Sequence, residues 1–312
     1  MTFSAELKEE IGNVFDNARH CRVAELAGIV LFEGTVLNDA EGYKISLSTE
    51  NAITANKFIQ LVKKLFHYDI GIKMKKSNRN LDLYEAGIEK ETALEAVKAL
   101  KIREEEGWLF PDVPRLTEKN CCRRAFIRGA FISAGSISDP DRFYHLEIPC
   151  KNEYTADQLI KTMHELHLDA KMVERQRRFV VYLKNSTQIS ELLGLMGART
   201  SLLNMENAMI RREVRGNINR RVNCETANIN KAAMAAARQI EDILYIDEHI
   251  GISSLPDGLD QMAKVRLKYP EANLSELGLH LEPPVGKSGV NHRLRKISAV
   301  AASLKNQGGK LL

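Results

Sequence analysis

The chain of 312 residues contains only five cysteines, and none of them occurs in a Cys-x-x-Cys pair. An odd number of cysteines without that spacing argues against both a disulfide framework and a zinc ribbon. We therefore predict buried free thiols, and we expect neither a bound metal ion nor a cofactor. The five residues are Cys21, Cys121, Cys122, Cys150 and Cys224.

Long hydrophobic runs are missing from the sequence as well. No stretch approaches the roughly 18 uncharged apolar residues that a membrane span needs. The first ten residues carry more acidic than basic side chains, unlike a signal peptide. We therefore expect a cytoplasmic protein without a membrane partner. Its 44% hydrophobic residues can build one large or two medium domains.

A strong excess of positive charge is also absent, because the formal net charge is only +4. The basic residues are concentrated instead in three regions. Region 283–312 contains six basic residues and no Asp or Glu, whereas regions 199–223 and 171–184 contain a few acids. Charge runs usually indicate solvated surfaces. Three such regions, one of them free of acids, favour a nucleic acid partner.

The first two hundred residues contain an internal repeat. The segment ELAGIVLFEGTV at 25–36 matches FIRGAFISAGSI at 126–137, and NAITANKFI from Asn51 matches NEYTADQLI from Asn152. Both matches have the same offset of 101 residues, without a gap. One register over such a distance indicates two copies of one structural unit.

Hydrophobic periodicity predicts the order helix, strand, helix, strand, strand, helix in each copy. The motif helices, over about 21–33 and 118–134, end next to Gly34 and Gly135, which suit left-handed C-caps. A bridge with two prolines separates the copies. Further helices are predicted at about 51–67, 90–101, 152–167 and 186–196.

Small residues in the motif helices predict a close contact between them. Gly28 and Gly129 occupy equivalent positions in the two copies and leave almost no side chain on one helix face. Two helix backbones can approach closely at such a face. We therefore predict that Gly28 and Gly129 form the interface of an internal pseudo-dimer.

Tandem G-x5-G helices, each followed by an α/β unit, resemble the LAGLIDADG homing-endonuclease fold. The segments SAGSISDP, NCETANINKAAMAAARQI, LSELG and LEPPVGKSGVNHRLRKI resemble the WhiA family of Gram-positive bacterial regulators of sporulation and cell division. This resemblance implies an α+β chain with a LAGLIDADG-like domain and an all-α helix-turn-helix domain. The LAGLIDADG-like domain is expected over 1–216, with its two repeats at about 20–105 and 115–197. A linker is expected at 217–224, followed by the helix-turn-helix domain over 225–312.

The resemblance implies that nuclease activity would need one carboxylate from the end of each motif helix, because in LAGLIDADG nucleases two acids together hold the divalent metal ions. The first copy has Glu33 at this position, but the second copy has Ala134. Glu33 alone supplies only part of the shell of about six oxygens that hard cations need. We therefore expect a degenerate site without catalysis. A metal-dependent DNA endonuclease or nickase stays as the enzymatic alternative.

Residues beyond the linker predict a long amphipathic helix over about 225–249 and then three helical segments. Pro270 ends the first segment, and Asn273 with Glu276 forms a capping box at the second. The third, KSGVNHRLRKISAVAASL, places Val290, Leu294, Ile297 and Ala301 on one inward face. The connection before it, with two prolines, is longer than the turn of the simplest helix-turn-helix.

The opposite face of the third segment predicts the DNA contacts. Ser288, Asn291, His292 and Arg295 share this face near the N-terminal half, where a recognition helix meets base edges. Asn and Arg have bidentate geometry for adenine and guanine, at about 1–3 kcal/mol each. Phosphate contacts are predicted for Lys287, Arg293 and Lys296. The alternative is a solvated basic helix face.

The leading hypothesis is a sequence-specific regulator that binds promoter or chromosomal sites on double-stranded DNA and is associated with the nucleoid. The family resemblance implies roles in cell division, chromosome segregation and, where it occurs, sporulation. We expect a monomer with an internal pseudo-two-fold axis. Protein co-regulators are possible partners, and a protein-recruiting scaffold is the third hypothesis.

Overall fold

The structure is a computed structural model that divides into two compact units, Met1–Glu213 and Val214–Leu312. The first unit mixes helices with strands, and the described part of the second is built from helices. This confirms the predicted α+β fold class. The described residues are 2–77, 80–105, 107–175 and 178–308.

The first repeat follows a helix α1 (Phe3–Gly12) that the sequence analysis does not predict. The order within this repeat is helix, two strands, helix, two strands, helix. The predicted order is therefore wrong by one strand, the one directly after the motif helix. The elements are α2 (Arg19–Phe32), β1 (Gly34–Asp39), β2 (Gly42–Thr49), α3 (Ala52–Phe66), β3 (Lys73–Lys76), β4 (Asp82–Glu89) and α4 (Lys90–Ala99).

The bridge between the repeats has regular structure of its own. A two-stranded antiparallel sheet, in which Ile102 pairs with Pro111, precedes a short helix. Asp112 caps this helix through a hydrogen bond from the Arg115 N–H to its carboxylate. These elements are β5 (Ile102–Glu105), β6 (Trp108–Pro111) and α5 (Val113–Leu116).

The second repeat has the same order as the first, and its extra strand, β7, has only two residues. Both four-stranded sheets are antiparallel, with orders β1-β2-β4-β3 and, at the equivalent positions, β7-β8-β10-β9. The strands β1 and β7 are defined by their pairing with β2 and β8. Thr35 pairs with Ser46, and Ile137 pairs with Leu146. The elements are α6 (Asn120–Ala134), β7 (Ser136–Ile137), β8 (Leu146–Cys150), α7 (Glu153–His164), β9 (Lys171–Arg175), β10 (Arg178–Leu183) and α8 (Ser186–Met196).

The motif helices α2 and α6 cross in the core of the first unit, and their glycines lie at the crossing. A Cβ atom on Gly28 would lie 2.9 Å from the Ala130 nitrogen and still closer to the Phe126 carbonyl oxygen. A Cβ atom on Gly129 would lie 3.1 Å from the Glu25 carbonyl carbon. Because both obstacles are backbone atoms, neither position has room for a larger residue.

The glycines at the ends of the motif helices serve packing rather than a left-handed cap. Gly135 has φ −69° and ψ 153°, and the C-cap residue of α2 is Glu33, with φ −130°. The predicted left-handed caps are therefore wrong. A Cβ atom on Gly34 would lie 2.8 Å from Val30 Cα, so the chain turns into β1 directly against the preceding helical turn.

A buried ionic network connects the two repeats beside this crossing. Glu25 on α2 accepts hydrogen bonds from Arg128 on α6, at 2.8 Å from Nε and 3.0 Å from Nη2. Lys57 on α3 lies 3.1 Å from the same carboxylate, and Asp16 pairs with Arg128. Burial opposes the charged form of Arg128, but Glu25 and Asp16 raise the pKa of its guanidinium. The network is asymmetric, because Phe126 replaces Glu25 in the second repeat.

A single helix, α9 (Arg199–Ile250), runs from the first unit into the second. It includes residues 217–224, so the predicted change from helix to linker and back to helix is wrong. In its second half Ile243 is buried, whereas Ile229, Ala233 and Leu244 are exposed. Every residue from 217 to 235 is exposed, so local sequence has to sustain the helix there.

The second unit continues with a 3-10 turn (Ile252–Ser254) and three helices. The core of this unit contains Ile243 and Ile246 from α9, together with apolar residues from each later helix. The helices are α10 (Leu259–Lys268), α11 (Leu274–Leu279) and α12 (Lys287–Gly308).

Candidate nucleic-acid interface

Helix α12 presents one apolar and one polar face, as its sequence period predicts. Its four predicted inward residues are at most 1% exposed. They pack in the core of the second unit with residues such as Met262 of α10 and Leu277 of α11. The buried residues are Val290, Leu294, Ile297 and Ala301. This burial determines which side of α12 faces outward.

The two preceding helices are held in place by polar contacts. Asn273 accepts hydrogen bonds from the Ser275 and Glu276 N–H groups, and its own N–H donates to Glu276 at 2.9 Å. This is the predicted capping box. Arg266 on α10 is buried and donates to Gln239 on α9 and to the Ala272 carbonyl oxygen. Burial lowers the pKa of Arg266, which has no carboxylate partner among the described residues.

The connection between α11 and α12 folds back onto α11. The Val285 N–H donates to the Gly278 carbonyl oxygen at 3.0 Å. A Cβ atom on Gly278 would overlap the Val285 carbonyl oxygen, so glycine is needed there for close backbone approach. Tyr269 and His280 stack at 4.0 Å beside this connection. The connection is thus a packed element, although it is longer than a tight turn.

The residues predicted to contact DNA lie on or beside the outward face of α12. Asn291 and Arg293 are partly exposed and the others are fully exposed. Arg293 Nη1 lies 3.4 Å from the Gly258 carbonyl oxygen, so this side chain leans towards the start of α10. The exposed residues are Lys287, Ser288, His292, Arg295 and Lys296.

The outward face of α12 has an uncompensated positive charge. Helix α12 contains no Asp or Glu. Among the described residues, Lys287, Arg295 and Lys296 form no ion pair, whereas Lys305 pairs with Asp242 at 3.0 Å. Cations that are not already paired within the protein remain available to phosphate oxygens.

The second basic region lies on α9 and is partly neutralised. Arg211 pairs with Asp141 at 2.8 Å, and Arg221 pairs with Glu225 at 3.0 Å. The Arg212 guanidinium lies 4.4 Å from the centre of the Tyr144 ring. These arginines contribute to intramolecular contacts, which leaves less of the region for a polyanion.

The third basic region lies on β9, an edge strand of the second sheet, and on its neighbour β10. Arg175 is 4.0 Å from Glu147, and Lys171 is 3.9 Å from Asp169. Two basic residues of the predicted regions, Arg177 and Lys310, lie outside the described residues. Helix α12 therefore combines a run without acidic residues with a defined outward face.

The position equivalent to Glu33 in the second repeat has no acid, and the charged neighbours of Glu33 are lysines. Glu33 ends α2, and Ala134 ends α6 without a side-chain oxygen. Burial raises the pKa of Glu33, while Thr49, Lys8 and Lys151 oppose the shift. Lys151 also donates to the Gly34 carbonyl oxygen at 2.7 Å. Ammonium groups next to a single carboxylate compete with a divalent cation for its charge.

The fold brings together four residues that sequence reasoning treats as unrelated. His20 and Cys21 begin α2, and Cys121 and Cys122 begin α6. All five thiols of the chain are free, as predicted, but Cys121 and Cys224 are exposed rather than buried. Burial, followed by the hydrogen bond and charge of Cys121, raises the pKa of Cys21 to about 12. The repeat offset of 101 residues is the signal that could have identified this cluster.

No helix among the described residues is both long and apolar enough to cross a membrane.

Family models cover most of the chain. A WhiA N-terminal LAGLIDADG-like domain matches residues 19–92, a WhiA LAGLIDADG-like domain matches 123–215, and a WhiA C-terminal HTH domain matches 218–301. The third match includes α10, α11 and most of α12. The matches therefore follow the two repeats and the helical unit.

Full-length relatives are similar as well. The "Probable cell division protein WhiA" of Lachnoclostridium phytofermentans is 45% identical, with 98% of this chain and 100% of the relative covered. The protein of the same name from Heliobacterium modesticaldum is 41% identical, with coverage of 99% and 98%. The crystal structure of full-length DUF199/WhiA from Thermatoga maritima has a TM-score of 0.61 at 26% identity, with coverage of 97% and 99%.

Proposed function

Because the chain belongs to the WhiA family, we propose that it is a sequence-specific double-stranded-DNA-binding regulator of transcription that acts in cell division and chromosome segregation. The names of its relatives support the cell-division role. The observation that carries DNA binding is the outward face of α12, where Lys287, Arg295 and Lys296 form no ion pair among the described residues. Sporulation is included where the organism sporulates.

The residues on α12 divide into two roles. Arg295, with Asn291 beside it, reads base edges because guanidinium and amide groups can form two hydrogen bonds to one base. Lys287 and Lys296 neutralise phosphates, which supplies affinity but no sequence preference. Arg293 contributes less to DNA binding than the other arginine because it also leans on Gly258.

In this proposal the LAGLIDADG-like unit does not cut DNA. Glu33 has no carboxylate counterpart at Ala134, and Lys8 and Lys151 surround it. A fold shared with nucleases does not by itself imply cleavage. We assign DNA reading to residues 225–312 and a supporting, protein- or DNA-contacting role to residues 1–216.

The test is a selection of bound duplexes from a random-sequence library with the full-length protein, followed by titration of the selected duplex. Arg295→Ala should reduce discrimination against a base mismatch at one position by about 1–3 kcal/mol. Lys296→Ala should weaken binding to all sequences and reduce the slope of log affinity against log salt by about 0.9. Lys231→Ala, at an exposed lysine of α9, is the matched control.

Three readouts decide the proposal. The wild-type protein should enrich a single non-palindromic motif, because a monomer has one helix-turn-helix to read the DNA. The selected duplex should stay intact with Mg²⁺. If Arg295→Ala and Lys296→Ala both bound as tightly as the wild type, with the same salt dependence, the assignment of α12 would be wrong.

A further inference from the structure

The N-terminal turns of the two motif helices contain a cluster of metal-ligand side chains. His20 and Cys21 are the second and third residues of α2, and Cys121 and Cys122 are the second and third residues of α6. Each pair is separated from the other by the repeat offset of 101 residues. The two motif helices cross at their glycines, and their first turns also lie close together.

The distances within this cluster fit a tetrahedral site. The four donor atoms all lie within 4.8 Å of one another. His20 Nδ1 lies 3.2 Å from Cys122 Sγ, 3.3 Å from Cys21 Sγ and 4.0 Å from Cys121 Sγ. Zn–N and Zn–S bonds of about 2.0 and 2.3 Å at tetrahedral angles place nitrogen and sulfur about 3.5 Å apart. The three measured distances lie on either side of this value.

Hydrogen bonding alone is a poor explanation for the arrangement. One imidazole nitrogen accepts a single hydrogen bond along its lone pair, whereas three sulfur atoms converge on Nδ1 of His20. The five cysteines are free thiols, so no disulfide explains the convergence. A cation bound between the four donors would use all of them at once.

Two helix N-termini meet at the cluster. Neither Ala18 nor Lys119, the N-cap residues of α2 and α6, provides a side-chain cap. Two uncapped helix N-termini therefore direct their positive ends towards the cluster, which favours thiolates. Burial is the largest cause that raises the pKa of the Cys21 and Cys122 thiols, so a metal ion has to displace their protons when it binds.

Two of the four ligands are buried and two are exposed, so a metal ion can enter from solvent and then be enclosed by protein ligands. Cys21 and Cys122 are buried at 2% and 4% exposure, whereas His20 and Cys121 are exposed. An ion can therefore reach the buried thiolates from solvent and then be covered by the two exposed ligands. Four protein ligands leave no position for water or substrate, which is typical of structural rather than catalytic zinc.

We propose that His20, Cys21, Cys121 and Cys122 bind one Zn²⁺ ion that joins the N-terminal ends of the two motif helices. Three soft thiolates and an imidazole select zinc over the hard cations Mg²⁺ and Ca²⁺. Because the two ligand pairs are far apart in sequence, the site forms only when the repeats are docked. Zinc binding would therefore stabilise the crossing of α2 and α6.

The first test uses the full-length wild-type protein and Co²⁺ as a spectroscopic substitute. After reduction and chelation, titration with Co²⁺ should give intense visible d–d bands and a thiolate charge-transfer band, saturating at about one ion per chain. Zn²⁺ should then displace the cobalt and abolish the bands. A reduced, folded wild-type protein that gave no such spectrum would overturn the proposal, even if every variant failed to fold.

The second test identifies the ligands. Cys122→Ser should abolish the charge-transfer band or weaken Co²⁺ binding at least about 10-fold. Cys150→Ser and Cys224→Ser, at thiols outside the cluster, should leave cobalt binding unchanged. Chelation should lower the Tm of the wild-type protein but not that of Cys122→Ser. Equal cobalt spectra for all three variants would contradict the assignment.

Discussion

Glu10 shows how a single side chain can replace a local helix cap. The residue before α9 is Ala198, which has no side-chain oxygen to accept a hydrogen bond from the first turn. Glu10 on α1 accepts from the Thr200 N–H at 2.7 Å, the Ser201 N–H at 2.9 Å and the Ser201 hydroxyl at 2.7 Å. Burial raises the pKa of Glu10, but these hydrogen bonds more than offset it and the pKa is lowered overall.

Replacing Glu10 by Gln should destabilise the first unit in a pH-dependent way. A lowered pKa in the folded state means that the carboxylate supplies stability above its unfolded pKa and loses it as the pH falls through the folded pKa. Glu10→Gln should therefore reduce the free energy of unfolding by about 1 kcal/mol at neutral pH. The difference from the wild type should disappear in acid.

Urea unfolding at a series of pH values, followed by circular dichroism and by the single Trp108, measures this effect. Glu9→Gln, at the exposed neighbouring residue, should change stability by less than about 0.5 kcal/mol at every pH. A pH-independent loss for Glu10→Gln would indicate that packing, and not the charge at the helix N-terminus, is responsible.

At the scale of elements, the crossing of α2 and α6 determines the first unit. The helices touch through backbone atoms at Gly28 and Gly129, and the Glu25–Arg128 pair lies beside this contact. Phe32 and Phe126 meet edge to face at 6.4 Å. Direct backbone contact leaves these helices little freedom to slide, because side chains cannot adjust to fill or clear the space.

Adding a methyl group at the crossing should therefore be costly. Gly28→Ala should reduce the free energy of unfolding by about 2–4 kcal/mol, because the helix backbones must separate. Gly194→Ala, in the exposed part of α8, has only Leu202 Cδ2 within reach at 3.6 Å. That control should be neutral or should stabilise the protein by about 0.5–1 kcal/mol, through helix propensity. Thermal and urea unfolding measure the change in stability of each variant. Equal changes for Gly28→Ala and Gly194→Ala would argue against the close crossing of α2 and α6.

At the scale of the whole molecule, α9 is the element that both units share. Its first turns pack in the first unit, where Met205 and Ala208 are buried, and Ile243 and Ile246 pack in the core of the second. Between them, residues 217–235 are exposed and include several asparagines, which are poor helix formers. Helicity there depends on propagation from two anchored ends.

Amide hydrogen exchange of the full-length protein should distinguish the exposed middle of α9 from its packed first turns. Amides within 217–235 should exchange at least roughly 10-fold faster than those within 201–209, because opening exposed helix disrupts no core contacts. Mass spectrometry of proteolytic peptides from the exchanged protein measures the difference. Equal protection along α9 would mean that a partner, such as a second chain, covers the exposed part.

The features that the sequence predicted well are those set by residues a few positions apart. The inward face of α12 follows from helical spacing of Val290 and Leu294, and the Asn273–Glu276 capping box from a four-residue motif. The linker over 217–224 was wrong, because polar composition alone does not show that helices anchored on both sides continue through it. Strand β7 was missed, because two residues have no period and only pairing with β8 defines them.

The two repeats, the family, the helical C-terminal unit and the absence of the second motif acid can be predicted from the sequence, since each depends on residue identity at a fixed spacing. Which distant groups meet is visible only in the folded chain. Glu10 caps a helix that begins 189 residues later, Arg128 neutralises Glu25, and His20 and Cys21 lie against Cys121 and Cys122. Such contacts depend on how the motif helices cross, and that geometry is a property of packed backbones rather than of any local pattern.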